Sequence, residues 1–99
     1  MEGGYVGIVT VDLHLPEGRS LKAKRKELLR LKSSLARRFA CAVAEVDHHD
    51  LWQRAGISVA IVGREAGETQ ERTAEILRFL HADEAFQVVG EAHEVIAVD

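Results

Sequence analysis

Segments with the hydrophobic period of a β-strand alternate with segments that have the period of a helix along this chain of 99 residues. The order of these segments restricts the folds that the chain can adopt. From Tyr5 to Leu15, apolar and mixed side chains alternate with the period of two that is typical of a β-strand. After Ser20, a predicted N-cap, leucines recur up to Phe39 at the spacing of a helix. Two further strands, "FACAVAEV" and "GISVAIVG", precede a second helix over Thr69 to Leu80. The last segment, "AFQVVGEAHEVIAV", predicts a fourth strand that bends near Gly90.

The predicted order β-α-β-β-α-β, with short connections, indicates a two-layer fold. Two right-handed crossovers joined by a hairpin place all four strands in one antiparallel sheet and both helices on one of its faces. The chain is therefore predicted to be an α+β protein, a ferredoxin-like βαββαβ sandwich. Its length suits a single hydrophobic core, so residues 1–99 are expected to form one domain. Because this fold is found in enzymes, metal carriers, RNA binders and regulatory modules, it does not decide the function.

Each helix has an apolar stripe that is expected to face the sheet. In the first helix this stripe consists of Leu21, Leu28, Leu31, Leu35 and Phe39. In the second helix it consists of Ala74, Ile76, Leu77 and Leu80. The single cysteine, Cys41, lies in an apolar context and is expected to be a small buried side chain.

The charges are distributed unevenly along the chain, although the net charge is only −3. The segment from Arg19 to Arg38 contains nine lysines and arginines and one acid, whereas the rest of the chain contains four basic and fifteen acidic residues. Cations crowd the first two turns of the helix, where the helix dipole disfavours each of them by roughly a few tenths of a kcal/mol. Such asymmetry indicates a charged partner. A solvated face whose long side chains shield the core is an equal alternative.

An anionic partner fits this segment because the amides at a helix N-terminus, together with Lys and Arg, make an anion site. The P-loop pattern is absent around Gly18, and an extended stripe suits a polyanion backbone better than one phosphate, although a small anion at the helix start stays open. The sheet lacks the exposed aromatic pair that stacks bases in RNA-recognition domains, so contacts to the RNA backbone with strong salt dependence are expected. The predicted anion- or RNA-binding residues are Arg19, Ser20, Lys22, Lys24, Arg25, Lys26, Arg30 and Arg37.

The stretch "AEVDHHDLWQRAG", Ala44 to Gly56, resembles a metal site at first sight because it combines three carboxylates with two histidines. Adjacent His48 and His49 are expected to point in different directions, and no Cys pair or HExxH motif accompanies them, so no metal site, catalytic residue or cofactor is predicted. The stretch is more simply a solvated hairpin loop. Trp52 is the exception, because it is either a lid on the edge of the core or, with Arg54, an interface contact, and both alternatives stay open.

Two motifs make the chain similar to a known family. "SLKAKR", Ser20 to Arg25, and "VAEVDHHDLWQRAGISVAIV", Val43 to Val62, resemble those of the YlxP-like family, small bacterial proteins grouped as a domain of unknown function. The resemblance implies a ferredoxin-like fold and a genomic neighbourhood of transcription and translation factors, including ribosome-binding factor A, but no particular reaction. The hairpin positions that match the family motif are Glu45, Asp47, Asp50, Trp52, Gln53 and Arg54.

Three hypotheses for the function follow. The leading one is a non-enzymatic module that binds RNA or a ribonucleoprotein, expected to be ribosomal, through the first helix, with the hairpin as a second contact or an oligomer interface. The alternative is a homo-oligomeric interaction protein, in which an open sheet face carrying Val6, Ile8, Ala60 and Val62 forms a dimer together with the Trp52 hairpin. An enzyme is the least favoured, because no catalytic constellation is evident.

Two further expectations concern the source and location of the protein. The N-terminus has no signal-peptide pattern and no apolar run of membrane length, so a cytoplasmic location and no membrane contact are expected. The absence of Asn, together with many Arg and Glu, is typical of heat-adapted proteins.

Overall fold

The computed structural model describes residues 2–99, and Met1, the first residue of the predicted domain, lies outside them. The elements, in chain order, are β1 (Tyr5–His14), α1 (Leu21–Phe39), β2 (Ala42–Asp47), β3 (Arg54–Gly63), α2 (Ala66–His81) and β4 (Gln87–Ala97). The strands form one antiparallel sheet in the order β2-β3-β1-β4. The predicted α+β, ferredoxin-like βαββαβ fold is confirmed. Among residues 2–99, neither helix combines the length and the apolar composition that crossing a membrane requires.

The alternation of β1 explains why one face of the sheet is covered and the other is open. Val9, Val11 and Leu13 point towards the helices and are buried. The opposite row, which includes Ile8 and Thr10, is only half-buried, because both helices lie on the other face. Two hydroxyls of this open face, Thr10 Oγ1 and Ser58 Oγ, lie 2.8 Å apart in a hydrogen bond between neighbouring strands.

Helix α1 begins as the sequence predicts. The Ser20 hydroxyl accepts a hydrogen bond from the Ala23 amide at 3.0 Å, which confirms Ser20 as the N-cap. The helix ends at Phe39, and Ala40 follows in the left-handed conformation, with φ of 49°. Leu21 is half-buried, and the fully buried positions are Lys24, Leu28, Leu31, Leu35 and Phe39. The spacing of these five residues is that of a single stripe along a helix, so a lysine occupies one position of the core face.

The buried face of helix α2 contains two threonines and not the alanine that the sequence suggests. Thr69 and Thr73 are buried, whereas Ala74, a predicted core position, is exposed. Each hydroxyl donates to a nearby backbone carbonyl at 2.7 Å, Thr69 to that of the N-cap residue Glu65 and Thr73 to that of Gln70. Because the hydroxyls are satisfied locally, the two threonines can be buried against the sheet without an unpaired polar group.

Two glycines allow α2 to lie close to the sheet at these threonines. A Cβ on Gly7 would lie 2.6 Å from the methyl group of Thr73, and a Cβ on Gly63 would overlap the hydroxyl oxygen of Thr69. Gly7 in β1 and Gly63 in β3 are directly paired with Ile61 and Tyr5, so the close approach involves two adjacent strands. The contact between α2 and the sheet therefore depends on the absence of side chains at both positions.

Two register shifts interrupt the sheet. Between β1 and β4, Asp12 pairs with Gly90 and Leu13 pairs with Val88, so Val89 has no partner across the strand. This bulge confirms the predicted bend near Gly90. The second shift lies between Glu45 and Asp47 of β2, immediately before the loop that joins β2 to β3.

Candidate functional site

The start of α1 and the β2–β3 loop meet at one end of the molecule, and a buried lysine joins them. The Lys24 side chain is only 1% exposed. Its Nζ donates to the backbone carbonyl oxygens of His48 at 2.8 Å, of His49 at 3.2 Å and of Arg54 at 3.2 Å. An ammonium group has three protons, so this arrangement satisfies all of them. The loop is thereby organised around a charge supplied by the helix.

Glu45 compensates the charge of this ammonium. Its Oε2 lies 3.0 Å from Lys24 Nζ, and its side chain is 20% exposed. Because the three protons are directed at carbonyls, the carboxylate supplies electrostatic compensation without a fourth hydrogen bond. Glu45 pairs with the fully buried Ile57 on the neighbouring strand, so the alternation of β2 directs it towards the helices. Without these partners a buried ammonium would cost several kcal/mol, roughly the penalty that real proteins show for one ion.

Further contacts tie the β2–β3 loop to the segment between β1 and α1. The Leu15 amide donates to the Gln53 carbonyl at 2.8 Å, and Gln53 Nε2 donates to the Gly18 carbonyl at 3.3 Å. Gly18 itself lies against the loop, because a Cβ there would be 2.6 Å from the Trp52 carbonyl oxygen. His48 adopts a left-handed φ of 61°, which is unusual for a residue with a side chain. These contacts hold the loop in one conformation.

The side chains at the tip of this loop point outwards. Trp52 is 49% exposed and Leu51 is 48% exposed. The half-buried hydrophobic residues that pack against the core are Cys41, Val43, Phe79, Ala85 and Val88, and Trp52 is not one of them. About half of the Trp52 side chain is covered by the protein and half is open to a contact from outside.

A polar cluster lies beside the loop on the open sheet face. Arg54 donates to Asp12 Oδ2 at 2.5 Å, and Asp12 Oδ1 lies 3.3 Å from His48 Nε2. The His49 ring instead lies 3.2 Å from the Glu45 carbonyl oxygen, so the adjacent imidazoles have different partners, as the sequence predicts. Within residues 2–99, no three His, Cys, Asp or Glu side chains are grouped where they could hold a metal ion.

Six cations on or just before α1 are grouped as one surface, called the basic face below. It comprises Arg19, Lys22, Arg25, Lys26, Lys32 and Arg37. Across the described chain, these side chains make no salt bridge, and all are exposed except Lys32, which is half-buried. A helix of 19 residues is about 28 Å long at the usual rise per residue, so the basic face is extended. Leu29, which is 66% exposed, lies among these cations.

The other two arginines of α1 are engaged within the protein. Arg30 contacts Glu27 Oε1 at 2.9 Å and both carboxylate oxygens of Asp83 at 3.0 Å. The pKa of the Arg30 guanidinium is raised, chiefly by its hydrogen bond to Asp83. The Arg38 guanidinium lies 5.6 Å from the ring centre of Phe39 and 5.5 Å from that of Phe79, within the range of cation–π contacts.

The structure corrects the prediction for Lys24 and shows that Arg30 is already paired with carboxylates of the protein. Lys24 is one of the predicted anion- or RNA-binding residues, but its burial prevents any contact with a polyanion at the surface. The signal was present in the sequence, because Lys24 precedes Leu28 by four positions in the apolar stripe. Arg30 shares its charge with two carboxylates, and the second one, Asp83, comes from the distant α2–β4 loop, which no local pattern reveals. The Ser20 hydroxyl serves as the N-cap.

The hairpin motif divides into supporting and exposed residues. Glu45, Gln53 and Arg54 hold the loop through the contacts described above. Asp47 is exposed and accepts a hydrogen bond from the His48 amide at 2.8 Å, which helps to fix the turn. Asp50 and Trp52 are exposed. The residues of this motif therefore do not converge on one chemical centre.

The lone thiol lies at the other end of α1. Cys41 is half-buried, and its Sγ lies 3.5 Å from the Leu35 carbonyl oxygen. Burial raises the pKa of the Cys41 thiol, and a backbone hydrogen bond and the charge of Arg72 only partly oppose this effect. The thiol is therefore held in its less nucleophilic form.

Comparisons with known proteins agree with the motifs. Residues 6–92 match a family model described as "Protein of unknown function (DUF503)". The chain is also 25% identical over 75 residues to "Uncharacterized protein YlxP" of Bacillus subtilis (strain 168), and this alignment covers 76% of the chain and 82% of that protein. Both sequence motifs lie within the matched residues, and the predicted YlxP-like resemblance is confirmed.

Proposed function

The chain belongs to the family described as "Protein of unknown function (DUF503)", and we propose that it is a binding module that contacts RNA or a ribonucleoprotein through the basic face of α1. The observation that carries this proposal is the basic face itself. Six cations lie on or just before one helix, and the described residues offer them no carboxylate in a salt bridge. Outside the segment from Arg19 to Arg38, acidic residues outnumber basic ones by fifteen to four.

The arrangement of these cations is unfavourable for the isolated protein. Lys22 and Lys26 are four residues apart on the same side of the helix, where like charges cost roughly 0.2–0.5 kcal/mol per pair. Both also lie in the first two turns, against the helix dipole. A polyanion relieves the repulsion, and the release of its counterions adds a favourable term that weakens as salt is added.

The geometry favours contacts to phosphates over the reading of base edges. On the helix, the basic face runs from Lys22 to Arg37, about 22 Å at the usual rise per residue, and flexible lysines and arginines can follow a phosphate backbone over that length. On the open face, the central row of the sheet carries small polar side chains such as Thr10 and Ser58. Ribosomal RNA, which combines helices with single-stranded segments, is the proposed partner class.

Binding to ribosomal RNA is expected to depend steeply on salt. With three to five phosphate contacts, the logarithm of the association constant should fall with the logarithm of the salt concentration with a slope of about −2 to −4. The variant Lys22→Glu/Lys26→Glu removes two contacts, so the slope should become shallower by about 1.5 units and the affinity at low salt should fall strongly. Fluorescence anisotropy of a labelled fragment of ribosomal RNA, titrated at several salt concentrations, measures both.

The variant Arg64→Glu/Arg78→Glu is a matched control for this experiment. It changes the net charge equally, but both arginines are exposed positions outside α1. It should leave the slope unchanged and should lower the affinity only through the general change in net charge. If the protein shows no binding to ribosomal RNA at low salt, or if both double variants bind alike, the basic face is not an RNA-binding surface.

The open sheet face supports a second candidate function, self-association. Val62 of β3 is 71% exposed and Ile96 of β4 is 39% exposed, and both pair with Val6 of β1 between them. Neighbouring Ile8 extends this apolar strip along β1. Contiguous apolar surface of this kind is typical of interfaces, and a second copy of the chain would cover it symmetrically.

The mass in solution tests the second candidate. Light scattering should give the mass of a dimer for the native protein and that of a monomer for Val62→Lys, because a charge in the centre of an apolar interface loses its hydration. Leu29→Lys, at a similarly exposed position on α1, should leave the mass unchanged. A native protein that is already monomeric, or a dimer that tolerates Val62→Lys, would exclude the open face as the interface.

A further inference from the structure

We propose that Trp52 is a stacking platform for one unpaired base, so that the protein prefers single-stranded segments of RNA over fully paired ones. This inference rests on the RNA-binding function proposed above and assigns a chemical role to the exposed indole. The basic face would hold the phosphates, and Trp52, at the end where α1 begins, would take up a base.

The indole is presented to the solvent by a loop that has little freedom to move. The carbonyl oxygens of His48, His49 and Arg54 are held by the buried ammonium of Lys24. The residue that follows the indole, Gln53, is held by both its main chain and its side chain. A half-exposed aromatic ring on a fixed backbone offers a flat surface with a low entropic cost of binding. The indole is therefore exposed beside a backbone that is held by several hydrogen bonds.

The indole lies at the same end of the molecule as the first cations of the basic face. The Trp52 carbonyl packs against Gly18, which directly precedes Arg19. The ammonium of Lys24 touches the loop from the buried side of the first turn of α1, and Lys22 lies in that same turn on its exposed side. A chain of phosphates that passes Arg19 would therefore arrive beside the loop that carries the indole.

This combination of groups matches the chemistry of single-stranded nucleic acid. Aromatic side chains next to a positively charged groove bind such strands, because every base has a face that can stack and the backbone needs cations. The bases of a duplex are already stacked inside it and cannot use the indole. An acidic protein would also satisfy the cations, but it would bury Leu51 together with Trp52, and the two cases can be separated by experiment.

The fluorescence of Trp52 reports directly on stacking, because it is the only tryptophan in the chain. A single-stranded oligouridine is expected to quench the emission on binding. Inorganic polyphosphate, which has the charge but no bases, should compete for the basic face and leave the emission nearly unchanged. A blunt RNA duplex of equal length should also leave it nearly unchanged. Quenching by all three ligands, or by none of them, would overturn the proposal.

Substitutions separate stacking from charge. Trp52→Ala is expected to lower the affinity for oligouridine about ten- to a hundred-fold, the usual loss of one stacked base, and to leave the salt slope unchanged. Trp52→Phe should retain most of the affinity, and Val89→Ala, which shortens an exposed side chain of β4, should bind like the native protein. Anisotropy of labelled oligouridine measures these variants, and their urea unfolding midpoints confirm that they remain folded.

The outcomes distinguish this inference from the function on which it rests. If Trp52→Ala binds oligouridine normally while Lys22→Glu/Lys26→Glu does not, the stacking role is wrong and the RNA-binding function stands. If neither oligouridine nor ribosomal RNA binds at low salt, both proposals fail. If Trp52→Ala and Leu51→Ala both change the mass in light scattering, the tip of the loop is an interface between copies of the chain and the stacking role is wrong.

Discussion

Replacing Lys24 with Met is expected to lower the free energy of unfolding by about 3 kcal/mol, within the range for breaking a buried ion pair by removing one partner. Methionine fills a similar volume but donates no hydrogen bond. The carbonyls of His48, His49 and Arg54 would lose their common donor, and the Glu45 carboxylate would lose its counter-charge. The loss stays below the upper end of the range because Glu45 is 20% exposed and can be rehydrated. Urea unfolding followed by circular dichroism measures it.

Lys22→Met is the matched control, because it is the same substitution two residues earlier on the same helix. Lys22 is exposed and makes no salt bridge within the described chain, so its unfolding free energy should change by less than about 0.5 kcal/mol. The double variant Lys24→Met/Glu45→Gln should cost less than the sum of its single variants, because each single variant leaves the partner unpaired. Equal effects of Lys24→Met and Lys22→Met would show that the ammonium is not buried.

The two sequence motifs share one physical explanation in this network. The motif at the start of α1 provides Lys24, and the hairpin motif provides Glu45 together with the three carbonyls that surround the ammonium. Arginine could not replace Lys24 without rearrangement, because its planar fork does not fit a group of three carbonyls around a point charge. Some residues of the two motifs therefore maintain the structure of this end of the fold. The exposed residues of the motifs are the remaining candidates for a role in function.

The fold could be predicted because its signals are local. The alternation of β1, the N-cap at Ser20 and the bend near Gly90 each depend on neighbouring residues, and each is found where expected. The prediction for the second helix was less accurate, since α2 begins at Ala66 and not at Thr69, and Thr73 is buried whereas Ala74 is exposed. A threonine is buried there because its hydroxyl bonds back to its own helix and Gly7 leaves room for its methyl group.

The candidate site could be predicted only in part, because its main contacts join distant segments. A lysine is usually exposed, so the sequence suggested an exposed Lys24. Its spacing of four residues from Leu28 nevertheless places it on the core face, where it is buried. The carbonyls that accept hydrogen bonds from Lys24 belong to residues 24 to 30 positions away, and the periodicity of the sequence does not predict such contacts. For Trp52 the sequence left open a lid on the edge of the core and an interface contact, and the structure leaves half of its side chain exposed.

Replacing Gly63 with Ala is expected to lower the free energy of unfolding by about 2–3 kcal/mol, a typical cost of overpacking a core. The new methyl group would overlap the hydroxyl oxygen of Thr69 and lie 3.1 Å from its Cβ, and both atoms belong to a helix that is anchored on the sheet. Thr69 is fully buried and its hydroxyl donates to the Glu65 carbonyl, so the side chain cannot rotate away without losing that bond. Thermal or urea unfolding measures the effect.

Gly67→Ala, in α2, is a control for which a change in stability of the opposite sign is expected. A Cβ at Gly67 would meet nothing within 4 Å, so alanine should raise the free energy of unfolding by about 0.5 kcal/mol through its higher helix propensity. The double variant Gly63→Ala/Thr69→Ala should recover part of the loss, because the second substitution removes the overlapping oxygen. If Gly63→Ala were as stable as the native protein, α2 would have to lie farther from β3 than the contacts of Thr69 require.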